Sequence, residues 1–101
     1  MPDLVILYWR DIPAQVIAKA GRKTAKRQLP ERFEQAIDRA AMRAKLTGTD
    51  AYLEEWRRSE PEPCGADLEA EAERAAAALE AEFTPERLRA YVANGGFAPT
   101  S

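Results

Sequence analysis

The stretch Leu4-Val5-Ile6-Leu7-Tyr8-Trp9-Arg10-Asp11-Ile12-Pro13-Ala14-Gln15-Val16-Ile17-Ala18-Lys19-Ala20 decides the fold class. Its first six residues are apolar and rich in β-branched and aromatic side chains, the composition of a strand covered on both faces. Arg10-Asp11-Ile12-Pro13 breaks the run, because proline fixes its own φ and restricts the residue before it. From Gln15 the residues alternate, with Val16, Ala18 and Ala20 on one face and Gln15, Ile17 and Lys19 on the other. Gly21 ends this second strand. A connection of four or five residues around Pro13 predicts an antiparallel hairpin. Two strands are marginal alone, so helices or a third strand must cover them. The following run, Arg22-Lys23-Thr24-Ala25-Lys26-Arg27, is basic and aperiodic, and reads as either a third strand or a loop.

Beyond Pro30 the period becomes helical. Phe33, Ile37, Ala40, Ala41 and Ala44 form one stripe, with Pro30 suited to the first helical position and Thr47-Gly48 to a stop. Thr49 or Asp50 is expected to cap a second helix over Ala51–Arg58, with Tyr52, Leu53 and Trp56 inward. Ser59–Gly65 holds two prolines and a glycine and reads as a linker. Asp67 caps a third helix over Leu68–Phe83 with a stripe of Leu68, Ala72, Ala75, Leu79 and Phe83. Thr84-Pro85 opens a fourth helix with Leu88, Tyr91 and Val92 inward. The expected fold is α+β: an N-terminal antiparallel hairpin, extended by a third strand if the basic run joins it, packed against three to four helices. It forms one domain over residues 1–93, followed by a flexible tail over 94–101.

Charge is distributed unevenly. Residues 1–46 hold ten Lys and Arg against five acids, and residues 47–101 hold five Arg against twelve acids, so a net charge of −2 conceals two oppositely charged halves. Such asymmetry bears on partners more than on fold. The chain has no histidine, which removes the commonest general base near neutral pH and the commonest metal ligand. Its single cysteine, Cys64, precludes an intrachain disulfide and a zinc cluster. Cys64 precedes a helix start, but the acids around it favour an inert thiol. Gly21-Arg22-Lys23-Thr24 lacks the earlier glycine and the adjacent Gly-Lys pair of a phosphate loop. No catalytic, cofactor-binding or metal-binding residue is assigned. The apolar run at the N-terminus is too short for a leader or a membrane span, and a cytoplasmic location is expected.

The strings LYWRDIPAQVIAKAGR, KRQLPERFEQAIDRAAMRA and TDAYLEEWRR resemble a small bacterial family known as virulence factor. The domain also resembles one appended to a longer conserved virulence factor with an NifU-like N-terminal region. The resemblance covers about residues 4–83, and Tyr-Trp-Arg-Asp-Ile-Pro-Ala-Gln is its most specific part. It carries no catalytic set to transfer, and it places function on the hairpin and its basic exit. The expected role is therefore a non-catalytic interaction module. Its contact residues would be Tyr8, Trp9, Arg10, Asp11, Gln15, Arg22, Lys23, Lys26 and Arg27. A free hairpin edge would recruit a protein partner or a second copy. Two other readings stay open: a nucleic-acid or anionic-ligand binder through segment 19–27, disfavoured for nucleic acid by the acidic total and the lack of a stacking platform, and an accessory subunit in which Arg10 and Asp11 complete a partner's enzyme site.

Overall fold

The computed structural model describes residues 2–46, 48 and 50–99. It is an antiparallel sheet with four helices, an α+β architecture. Strand β1 (Asp3–Trp9) pairs with β2 (Ile12–Ala20), and β2 pairs with β3 (Lys23–Gln28). The basic run is thus the third strand. Its cations do not oppose strand formation, because β3 lies at the sheet edge where long charged side chains reach water.

The hairpin connection is shorter than expected. Arg10 and Asp11 alone join β1 to β2, and Pro13 lies inside β2 opposite Tyr8. The register shifts between Leu7 and Tyr8, leaving Ala14 as the extra residue of a bulge. The Ala14 carbonyl is accommodated by the Leu29 N–H, at 3.1 Å. Ile12 and Pro13 are both almost fully enclosed.

The segment after the first helix differs most from expectation. Helix α1 spans Glu31–Arg43, with Phe33, Ile37, Ala40 and Ala41 buried as the stripe required; Pro30 stands at its N-cap rather than inside it. Helix α2 is only Asp50–Glu54, and Leu53 points out, 64% exposed. The predicted helix over Ala51–Arg58 instead yields strand β4 (Trp56–Arg58), and the predicted linker contains β5 (Glu62–Pro63). Both pair with β1: Leu7–Trp9 with β4, and Asp3–Leu4 with β5. Between them Ser59 completes the ladder. Its Oγ accepts from the Ile6 N–H at 2.8 Å, and its own N–H donates to the Ile6 carbonyl at 2.9 Å. The reason is tertiary. An unpaired inner edge on an apolar strand leaves backbone groups without partners, and their satisfaction outweighs the weak helical preference of a short segment. The hairpin therefore has no free edge, and an argument for assembly from that edge fails. Thr47 and Thr49, expected as stop and cap, and the last two residues of the expected tail lie outside the described residues.

Helix α3 (Leu68–Glu82) and helix α4 (Pro85–Ala93) are capped as their sequences dictate. Asp67 Oδ1 accepts from the Ala70 N–H and Thr84 Oγ1 from the Arg87 N–H, both at 3.2 Å. Their buried residues, including Leu68, Ala72, Leu79, Leu88 and Tyr91, join Val16, Ala18 and Ala25 of the sheet and Phe33 and Ile37 of α1 in one core. Cations from α1 finish the two later helices. Arg32 Nη2 donates to the Glu80 and Phe83 carbonyls at the end of α3, and Arg43 Nε donates to the Ala93 carbonyl at the end of α4. Each cation meets the negative end of a helix that has no basic residue in its own last turn.

Candidate functional site

The turn Arg10-Asp11 is densely bonded to distant parts of the chain. Trp9, fully buried, forms its floor and donates from Nε1 to the Tyr52 carbonyl at 3.0 Å. Arg10 adopts a left-handed conformation with φ 53°. Its guanidinium lies between the Trp9 and Phe97 rings, 5.1 and 4.5 Å from their centroids. Nη1 donates to the Gly95 carbonyl at 2.7 Å, and Nη2 reaches Glu55 Oε1 at 3.3 Å. Asp11 is engaged on both oxygens: Oδ1 by Arg57 at 3.0 Å and Oδ2 by the Ala98 N–H at 2.7 Å. Backbone bonds run from the Arg10 N–H to the Glu55 carbonyl and from the Asp11 N–H to the Gly96 carbonyl. The turn thus ties together the sheet, the α2–β4 junction and the segment Asn94–Ala98. That segment, read from sequence as the start of a tail, is fastened to the turn. Gly96 is required there: a Cβ would lie 2.8 Å from Trp9 Cζ3, and φ is 96°.

The Arg10 guanidinium is therefore engaged within the fold, and both Asp11 oxygens are engaged at its surface. Tyr8 sits beside this latch, half-buried, with the Arg57 guanidinium 4.6 Å above its ring. Burial raises the Tyr8 hydroxyl above the usual tyrosine value, Arg57 works against that shift, and Glu82, Glu62 and Asp11 reinforce it. A phenol raised in this way is a poor base near neutral pH. Cys64, half-buried, is likewise pushed up by desolvation and then by the Glu71 and Asp3 carboxylates, which keeps it a thiol.

The basic run divides in two. Arg27 pairs with Glu69 at 2.6 Å, and Lys23 lines a shallow depression with Asp67 and Glu69 at the start of α3. These cations answer local acids. Lys26 is on the other face of the sheet, and Arg22 stands exposed in the turn between β2 and β3. Register places Val5, Ile17 and Lys26 in one row of that other face, Leu7, Gln15 and Gln28 in the next, and Asp3, Lys19 and Thr24 in a third. Arg58 adjoins Leu7 from β4. Every buried apolar residue of the helices belongs to a core that excludes Val5 and Ile17, so no helix seals this face. Val5 and Ile17 at its centre are themselves buried, at 4% and 8% exposed, and Leu7 is half-buried, so the face presents mainly the exposed Lys19, Lys26 and Arg58, with Asp3 as the one acid in these rows.

Of the nine residues singled out by sequence, Trp9, Arg10 and Asp11 build the latch with Tyr8 beside it, Lys23 and Arg27 face α3, Gln15 and Lys26 share the open face, and Arg22 stands apart. Arg57 and Arg58 were missed because their segment reads as helix. Their adjacency to Trp56 within a short aromatic-basic run was the available signal.

Among the described residues no helix is long and apolar enough to cross a membrane. No curated protein and no solved structure matches the chain. A family model described as Virulence factor matches residues 7–92, which include the latch residues Trp9, Arg10, Asp11, Glu55 and Arg57 and most of the fold, and the chain belongs to that family.

Proposed function

We propose that the chain is a non-catalytic interaction module whose open sheet face and adjoining edge strand β3 receive an extended acidic segment of a protein partner. One observation carries this reading: the exposed Lys19, Lys26 and Arg58 border a sheet face that the helices' buried stripes do not cover, beside the outer edge of β3. The cations supply selectivity and approach rate, and the half-buried Leu7 adds apolar contact. An extended segment can also pair with the outer edge of β3, to which no other strand of the described residues is bonded. The aromatic that adjoins the face, Trp56, is half-buried and paired with Trp9, and the chain carries a net charge of −2, both of which favour an acidic protein segment over single-stranded nucleic acid. The engagement of Arg10 and of both Asp11 oxygens by groups of the same chain counts against their completing a partner's enzyme site.

Photo-crosslinking in cells tests the reading. A crosslinker at Thr24 or Gln28 is expected to capture one defined protein, whereas one at Glu73 on α3 captures none. The capture should disappear in the variant Lys19→Ser/Lys26→Ser, which keeps its melting temperature because exposed charges contribute little to stability. Capture of the same protein from Glu73, or no capture from the sheet face, rejects the proposal. Capture of a second copy of the chain replaces the acidic partner with self-association.

A further inference from the structure

A second feature lies between α1 and α4, where a cavity of about 180 Å³ opens. Arg32, Gln35 and Arg39 of α1 and Arg89 of α4 line it, over an apolar floor that includes Leu88 and Val92. Arg32, Gln35 and Arg39 recur at helical spacing, so they form one stripe beside the buried one. Arg89 and Val92 occupy neighbouring turns of α4 in the same way.

The electrostatics of this cavity are one-sided. No carboxylate lines it. Arg32 is held in place by the Glu80 and Phe83 carbonyls and by the Phe33 ring, 5.0 Å from its guanidinium. Its buried Nε has no hydrogen-bond partner. Arg39 and Arg89 are exposed, and neither enters an ion pair among the described residues. Three guanidinium groups around one small space repel one another, and a bound anion relieves that repulsion. Of the other arginines, Arg10, Arg27, Arg57 and Arg74 each meet an acid, whereas Arg22, Arg43, Arg58 and Arg87 are spread over separate surfaces and enter no ion pair among the described residues.

We propose that the α1–α4 cavity binds a small phosphate monoester, with Arg32, Arg39 and Arg89 on the phosphate oxygens and Leu88 and Val92 against its carbon portion. A guanidinium presents a planar fork of donors suited to carboxylate or phosphate. The free forks of Arg39 and Arg89 can already occupy both oxygens of a carboxylate, whereas the third terminal oxygen of a phosphate monoester also accepts from the Arg32 N–H groups that do not cap α3. The cavity is smaller than the pockets that enclose drug-sized ligands, which restricts the ligand to a few carbons. This site is independent of the sheet face: it uses other residues, other elements and a different class of ligand.

The test uses the full chain, labelled with ¹⁵N, titrated with glycerol 3-phosphate and, at matched ionic strength, with sodium acetate and sodium chloride. Glycerol 3-phosphate is expected to give saturable shifts at the Gln35, Ala36 and Ala90 amides and at the arginine Nε–H groups. Acetate and chloride should give none that saturate. Arg39→Gln and Arg89→Gln should each weaken binding about tenfold or more, the loss of a charge-assisted hydrogen-bonding group. Both side chains are exposed, so both variants should keep the parent melting temperature. Arg39→Lys, which keeps the charge and loses the fork, should fall between parent and glutamine variant. Shifts that follow ionic strength alike for all three salts, or an affinity unchanged in both glutamine variants, overturn the proposal.

Discussion

Two turns of the same sheet invite comparison. Arg10-Asp11 joins β1 to β2, and Gly21-Arg22 joins β2 to β3. Each is a two-residue connection, each carries an arginine, and each places its first residue in the left-handed region, at φ 53° and 59°. The second turn meets that demand with glycine, for which the conformation is free of steric penalty. The first meets it with arginine, at about 1 kcal/mol or more of local strain. The strain is sustained because the Arg10 side chain engages Glu55, Gly95 and two aromatic rings, leaving it 14% exposed. Arg22 has no such role and stands in solvent. The same residue type is structural at one turn and available at the other. Position in the fold, not charge density along the chain, separates them.

The largest expected effect lies under the first turn. Trp9→Ala should cost about 3–5 kcal/mol, since it removes the fully buried floor on which Arg10, Tyr52 and Gly96 rest. Urea denaturation monitored by circular dichroism reads this directly. A loss below 1 kcal/mol, on the order of a surface change, would show that the latch contributes little to the fold.

The arginines themselves sharpen the contrast. Arg10→Ala should cost about 2–3 kcal/mol through lost charge-assisted bonds and stranded partners, whereas Arg22→Ala should stay within about 0.5 kcal/mol. Similar losses at the two turns would break the comparison. Gly21→Ala comes next. Nothing lies within 4 Å of the position a Cβ would take, so the expected loss of about 1 kcal/mol is conformational alone. Gly21→Asn should recover part of it, because asparagine tolerates the left-handed region.

The smallest effect is alkaline. Tyr8 has a raised value in the folded chain, so its neutral form is favoured there over the unfolded state. The corresponding stability is present below the ordinary value of 10.0 and is lost as pH rises through the higher folded value. Tyr8→Phe should therefore flatten the decline in melting temperature above pH 10 and leave neutral pH unchanged. An identical alkaline decline in the variant would remove Tyr8 from the account.

Much of the helical layer was legible because its signals are local. Asp67 and Thr84-Pro85 mark helix starts through their own side chains, and the apolar stripes of α1 and α3 follow from spacing. The segment Trp56–Pro63 was not legible. Three residues of β4 and two of β5 carry no period of their own, and they are strands only because β1 presents an edge that needs pairing. The candidate sites divide in the same way. Gln15 and Lys26 could be singled out from the hairpin reading, but Arg58 could not, and Arg39 and Arg89 are brought to one cavity by helices distant in sequence.

Sequence alone determined the class of the molecule: two apolar runs around Arg10-Asp11-Ile12-Pro13, then helices announced by caps and stripes. It also determined that the chemistry open to the chain excludes histidine bases and cysteine pairs, since composition is independent of folding. Tertiary structure alone decided which cations are free. Arg10, Arg27 and Arg57 are neutralised by acids that lie 45, 42 and 46 residues away along the chain, while Lys26, Arg39 and Arg89 meet no such partner among the described residues. The physical reason is that ion pairing depends on distance in space, and a residue's position along the chain does not specify that distance until strands and helices have packed.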